Sequence, residues 1–309
     1  MANKNLAPSF LEGLFKKNMY IWLVLVLLLF VLGLKYLMYG FWNGDGDGAI
    51  ESFSVASDSD PAAPVHSDVS DEVSEAQPET IPKIIIQTWK NKNIPSKYKP
   101  LQQGLIEKNP DYKYVFMTDE DIDAFLKSNY PEYYTTFNKL PVLIQKIDFF
   151  RYIAIYHYGG FYFDLDMQCL EPLDDALLKH NTIIPVDDRF SQSKKDLNRQ
   201  WMEYKGENIL LGQYAFGAVK HSPFMKFLVD NIHTNIDSII TYYDTRVKNN
   251  VSNFEYFVYS TTGPDYVSFM YKNYYKKWEV FILEHPIRQY FGKYARHRYF
   301  GTWKNNTNN

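Results

Sequence analysis

The chain has a single cysteine, Cys169, so no intramolecular disulfide can form and the fold must rest on its core. It contains no G-x-x-x-x-G-K-[ST] phosphate loop, no C-x-x-C pair and no G-x-S-x-G nucleophile elbow, which removes the simplest sequence signals for nucleoside-triphosphate, zinc-ribbon and serine-hydrolase chemistry. No internal repeat is evident, so a solenoid or propeller is not expected. Lys and Arg are absent from residues 43–80, where ten Asp and Glu fall, and residues 81–309 are left with 29 basic and 25 acidic side chains. That balance suits a phosphate-bearing ligand and is too weak to argue for nucleic acid.

What is abundant is aromatic: 26 Tyr and 22 Phe among 309 residues, ample for a sizeable core. The one long apolar run, Tyr20–Leu34, continues past Lys35 to Trp42. As a helix, 20–42 would reach about 34 Å, enough for a bilayer core of about 30 Å. Tyr and Trp flank it like interface anchors, and Lys35 lies where its stem can snorkel. Lys16 and Lys17 precede it and acidic residues follow, so the expected arrangement is a cytosolic tail (1–19), a single-pass type II anchor (20–42) and a disordered acidic stem (43–80). A cleaved signal peptide is the alternative, but no small-x-small site follows directly. The sequons at Asn250 and Asn305 matter only if this part enters a secretory lumen.

Residues 81–309 read as one α/β domain. Lys83–Trp89 (KIIIQTW) has the β-branched character of a buried strand, 97–108 reads as a helix, and Tyr112–Met117 alternates as a strand. Thr118-Asp119-Glu120-Asp121 predicts a capping box opening a helix that ends near Asn129-Tyr130-Pro131. Pro141 is expected to start a helix running to Tyr158, closed by Gly159-Gly160, with Phe161–Asp166 following as a strand. Helices are also expected over 222–234 and 264–276.

Asp164-Leu165-Asp166 poses the chemical question. On a strand both carboxylates would share one face and repel, so an Arg, a Lys or a metal ion should complete the site. Two such carboxylates can hold a hard divalent cation, with the remaining oxygens coming from phosphate or water. Asp148 and Arg151 share a face of the preceding predicted helix, and the Gly-Gly turn can bring both pairs together. Cys169 reads as a small buried hydrophobe, while His157 and His221 have no partner spacing that suggests a ligand role. Asp187-Asp188, after a predicted strand, reads as a turn, with acceptor contact the alternative.

Ile81–Trp89, Asp148-Phe149-Phe150-Arg151-Tyr152 and Tyr158–Asp166 together resemble glycosyltransferase family 32, the DXD sugar transferases that include Golgi initiating α-1,6-mannosyltransferases and inositol-phosphoceramide mannosyltransferases. Weaker blocks resemble the family at Gly212–Ala218, Thr262-Gly263-Pro264 and His297–Trp303. Two positions depart from it: Ile86 stands where many members carry His, and His297-Arg298 where many show His-His. The resemblance implies a GT-A (Rossmann-like) fold and retaining, Mn²⁺- or Mg²⁺-dependent transfer of a hexose from a nucleotide sugar to a glycan or glycolipid. Mannose from GDP-mannose leads, with a UDP-sugar as the alternative, and the anchor then implies a Golgi or endoplasmic-reticulum lumenal domain. By the same resemblance Trp89 lines the base pocket, and Asp148, Arg151 and Tyr162 face the donor. Asp164 contacts donor or metal, Asp166 ligates the cation, His297 is a further ligand, and Trp303 closes over the diphosphate. A membrane-tethered sugar-binding protein without turnover is the rival reading.

Overall fold

A computed structural model describes residues 80–190 and 202–301. The predicted tail, anchor and nearly all of the stem, together with Trp303 and Asn305, lie outside the described residues. Among the described residues, no helix is long and apolar enough to cross a membrane.

In chain order the elements are β1 (Ile84–Trp89), α1 (Lys99–Lys108), β2 (Lys113–Thr118), α2 (Asp119–Asn129), α3 (Pro131–Lys139), α4 (Leu143–Tyr158), β3 (Gly160–Phe163), β4 (Met167–Cys169), α5 (Asp175–Leu178) and β5 (Thr182–Phe190). They continue as β6 (Met202–Tyr204), β7 (Glu207–Leu211), β8 (Ala215–Ala218), α6 (Pro223–Thr234), α7 (Ile236–Tyr242), α8 (Phe254–Thr261), α9 (Pro264–Asn273), β9 (Val280–Leu283), β10 (Tyr290–Phe291) and β11 (Ala295–His297).

The main sheet runs β2-β1-β3-β8-β5-β7-β6, with β9 also paired to β5. β1 is parallel to β2 and β3, whereas β8 is antiparallel to both β3 and β5. The architecture is therefore mixed α/β. A second sheet, β10-β11-β4, is antiparallel. β3 lies between two cores: Tyr162 joins Ile86 and Phe216 on one side, and Phe161 and Phe163 join Ile85 and Phe291 on the other. This alternation is the period of two expected of a strand buried on both faces.

The capping box forms as its sequence predicts, with the Asp121 amide donating to Thr118 Oγ1 and the Thr118 amide donating to the Asp121 carboxylate. Pro141, in contrast, lies before α4, which begins at Leu143 without a side-chain cap. Pro131 is the proline that opens a helix, α3, which the sequence reading did not separate. α4 buries nine residues over most of its circumference, Asp148 and Arg151 among them. It stops at Gly159 (φ 66°) and Gly160 (φ 87°). Both lie in the left-handed region, and a Cβ at Gly160 would stand 2.5 Å from the Ile84 carbonyl oxygen, so glycine is what allows β3 to lie against β1.

β3 ends at Phe163, earlier than expected, and Asp164-Leu165-Asp166 is a turn rather than strand. The Met167 amide donates to the Asp164 carbonyl at 3.1 Å, closing that turn. The chain then leaves the main sheet for the second one through β4, which is why the strand cannot continue. Asp187-Asp188 is the converse correction: it lies inside β5, where the pairing with β7 shifts register between Val186 and Asp188.

Candidate active site

α4, the β3–β4 turn, the β7–β8 connection and the end of β11 converge on a cavity of about 710 Å³. Trp89, Asp148, Arg151, Tyr162, Asp164, Asp166 and His297 all line it. The structure thus brings together every described residue that the sequence singled out for the site.

Arg151 is at the back. Its Nη2 lies 3.1 Å from Asp148 Oδ1, and its Nη1 lies 3.2 Å from Asp164 Oδ1. Nη1 also donates to the Gln213 carbonyl at 3.0 Å, and the guanidinium sits 4.6 Å over the Tyr162 ring. With its side chain 4% exposed, Arg151 balances two carboxylates from within the protein. Its Nε is buried without a hydrogen-bond partner. Burial works against its charge, but Asp164, Tyr162 and Asp148 together hold it more firmly protonated than a free arginine. Asp148 is pushed the other way: burial raises its pKa to about 6 against the pull of Arg151 and hydrogen bonds from Thr262 and Gln213.

The two carboxylates of the Asp164–Asp166 turn differ in their surroundings. Asp164 keeps 27% of its side chain exposed, and burial with the neighbouring Asp166 raises its pKa against the pull of Arg151. Asp166 is held on both oxygens, by His297 Nε2 at 3.2 Å on Oδ1 and by the Phe300 amide at 2.8 Å on Oδ2. Burial opposes its charge, yet these two partners bring its pKa below the usual value. His297 is raised in turn, because Asp166 outweighs the effect of burial.

His297 is beside Asp166 because β11 pairs antiparallel with β4 and places His297 opposite Met167. Its ring also stacks on Tyr214, centroids 4.8 Å apart. The neighbouring Arg298 donates its Nη1 to Gln168, so His297 is the one imidazole of this segment beside the carboxylates. Ile86 is fully buried in β1, as suits a strand. Asp164, Asp166 and His297 offer ligand atoms all within 4.8 Å of one another. Two carboxylates with one imidazole form a donor set that fits a divalent cation.

Trp89 lies at the cavity edge, its ring 4.8 Å from Tyr98, which in turn meets Phe300 edge-on at 5.2 Å. Lys97 sits over both the Tyr98 and Phe300 rings. Val142, Leu143, Ile147 and Val258 give the cavity an apolar part of its lining.

Several site residues were missed by reading the sequence. Gln87, fully buried in β1, donates to the Asp164 carbonyl at 3.1 Å and accepts from Tyr114 at 2.8 Å. Thr262 donates to Asp148 Oδ2 at 2.8 Å, and Gln213 donates to Asp148 Oδ1 at 3.2 Å. Asp187, for which the sequence offered acceptor contact as the alternative to a turn, lies within β5 and lines the cavity. The available signal was a polar residue inside an apolar run, as in Ile84-Ile85-Ile86-Gln87, which requires a buried partner. Cys169 is a buried thiol, as read.

Residues 95–185 match the family described as a glycosyltransferase sugar-binding region containing a DXD motif. The chain is 31% identical over 221 residues to inositol phosphoceramide mannosyltransferase 2 of Schizosaccharomyces pombe, covering 72% of this chain and 54% of that protein. It is 30% identical over 162 residues to the initiation-specific α-1,6-mannosyltransferase of Candida albicans, covering 49% of this chain and 42% of that one. The chain thus spans about half the length of the curated relatives it matches. Among solved structures, the PaToxG glycosyltransferase superposes with a TM-score of 0.40 at 18% identity over 63% of this chain and 70% of its own, a likeness too loose to bear on the site. The chain belongs to the glycosyltransferase family that its sequence resembles, and residues 95–185 carry that family's DXD sugar-binding region.

Proposed function

We propose that the protein is a retaining, divalent-metal-dependent glycosyltransferase of GT-A architecture, moving a hexose from a nucleotide sugar to a glycolipid or glycan. Mannose from GDP-mannose is the leading donor, supported by the mannosyl activities in the names of the relatives. The observation that carries the reading is the convergence of Asp148, Arg151, Asp164, Asp166 and His297 at one cavity. Breaking a sugar–diphosphate bond develops negative charge on the leaving oxygen, and stabilising that charge is often the largest catalytic term. A Mn²⁺ or Mg²⁺ held by Asp166, Asp164 and His297 would supply it as a Lewis acid.

The chain's own residues then divide the work. Asp148 and Asp164 offer carboxylate oxygens to donor hydroxyls, and Arg151 favours the charged form of both and orients them. Trp89 and Tyr98 form an aromatic rim suited to a nucleobase, with Lys90 and Lys97 near it for phosphate. Trp303 remains our candidate for covering the diphosphate. In a retaining transfer the leaving phosphate can itself take the acceptor proton, so no protein base is assigned. The apolar lining at Val142, Leu143 and Val258 supports an acceptor with a hydrophobic part, and the apolar run at 20–42 supports a single-pass type II anchor with the catalytic domain in the Golgi or endoplasmic-reticulum lumen.

A donor panel tests the reading. The full chain is incubated with GDP-, UDP- and CMP-sugars, and release of free nucleotide is measured with and without Mn²⁺. GDP-mannose is expected to be consumed fastest; preference for a UDP-sugar would reassign the donor, and inertness toward all of them would refute the reading.

A further inference from the structure

The connection between β7 and β8, Gly212-Gln213-Tyr214, touches Asp148, Arg151, Asp164 and His297. The Gln213 carbonyl accepts from Arg151 Nη1 at 3.0 Å, and the next carbonyl, of Tyr214, accepts from the Asp164 amide at 2.7 Å. Successive carbonyls of one short loop therefore fix the guanidinium of α4 and the start of the carboxylate turn relative to each other. The Tyr214 ring adds the stack on His297. Gly212 permits this packing, since a Cβ there would stand 2.7 Å from the Tyr214 ring.

The Gln213 side chain closes the bracket. Its Nε2 donates to Asp148 Oδ1 at 3.2 Å, and its Oε1 accepts at 2.5 Å from the Tyr152 hydroxyl, whose one proton is shared with the Thr262 carbonyl at 2.7 Å. These contacts fix which way the amide points, because a carboxylate oxygen can only accept from the NH₂ end. Thr262 holds the other oxygen of Asp148 from the turn before α9. Although Gln213 borders the cavity, both polar atoms of its side chain face protein groups.

We infer that Gln213 is a positioning residue for the reaction proposed above, acting through Asp148 and Arg151 and making no polar contact with the donor. The inference rests on that functional reading. Asp148 shares Arg151 with Asp164; without the Gln213 amide it keeps the Thr262 bond on one oxygen but can turn the other from the geometry that keeps the guanidinium against Asp164. Small displacements of that kind are costly in turnover and cheap in ground-state binding.

The test is a double-mutant cycle in the full chain, using Gln213→Met, which keeps the side chain's length, and Asp148→Asn. With the donor that the unaltered chain turns over, Gln213→Met is expected to lower kcat about tenfold while donor KM changes less than about threefold. In the Asp148→Asn background it is expected to have almost no further effect, because the group it acts through is already altered. Thr262→Val, which removes the other hydrogen bond to Asp148 at constant shape, should show the same split and serves if Gln213→Met fails to fold. A loss residing in KM, or one that persists in full beside Asp148→Asn, would overturn the inference and make Gln213 a ligand contact. An unaltered chain that turns over no nucleotide sugar would instead remove the functional reading beneath it, and the inference with it.

Discussion

The Phe300 amide donates to Asp166 Oδ2 at 2.8 Å, so the second aspartate of the turn holds the C-terminal segment against the cavity. The Arg298 amide adds a bond to the Asp166 carbonyl at 3.0 Å, and the Phe300 ring reaches Tyr98 on the far rim. One residue thereby serves both the candidate metal site and the segment that borders it.

Asp166→Ala should therefore do more than remove a ligand. Hydrogen exchange at residues 295–300 is expected to quicken, since the His297 and Phe300 contacts disappear together. Asp164→Ala leaves both of those contacts in place and is expected to leave exchange in that segment unchanged. Equal exchange in the two variants would show that backbone pairing and packing hold the segment without the Asp166 carboxylate.

Gly160→Ala is expected to destabilise the chain by more than about 2 kcal/mol, measured by denaturant unfolding. Its φ of 87° disfavours any side chain, and the added Cβ would meet the Ile84 carbonyl oxygen at 2.5 Å. Gly206, also at positive φ (81°) but with nothing near its Cβ position, is the control. Gly206→Ala should cost less, because only the backbone term applies.

Asp148 gives a pH dependence of defined sign. Its folded pKa, about 6, lies above the ordinary value of 3.8, so the folded state binds the proton more tightly. This group's contribution to stability is full below about pH 4 and falls as pH rises toward 6. Arg151, Asp164, Gln213 and Thr262 face it, and Asp148→Asn removes the titration while keeping the shape. Unfolding free energies of the two proteins should shift by about 2 kcal/mol between pH 4 and 6, in favour of the asparagine variant as pH rises. A constant difference over that range would contradict the assignment.

Much of the site was legible because local chemistry announced it. The Gly-Gly pair after α4 fixed where the chain turns back, and with it the meeting of Arg151 with Asp164. The capping box at Thr118 formed because both of its bonds are local. The Asp-x-Asp pair was placed correctly in space for a partly wrong reason: a strand was expected to put both carboxylates on one face, whereas a turn does so as the chain passes from one sheet to the other. That crossing depends on β11, more than 120 residues later, and nothing near Asp166 signals it. Gln213 and Thr262 fall in blocks that resemble the family, but their bonds to Asp148 could not be read, since α4 lies far away in sequence.

The central claim is that Asp166 and a divalent cation together enable nucleotide-sugar cleavage. The direct measurement is GDP-mannose turnover by the full chain across a Mn²⁺ titration that starts from chelated protein, for the unaltered chain and for Asp166→Ala. The account predicts turnover that rises saturably with Mn²⁺ and falls at least about a hundredfold in the variant. Turnover that persists in the chelated protein, or that Asp166→Ala leaves untouched, would contradict it.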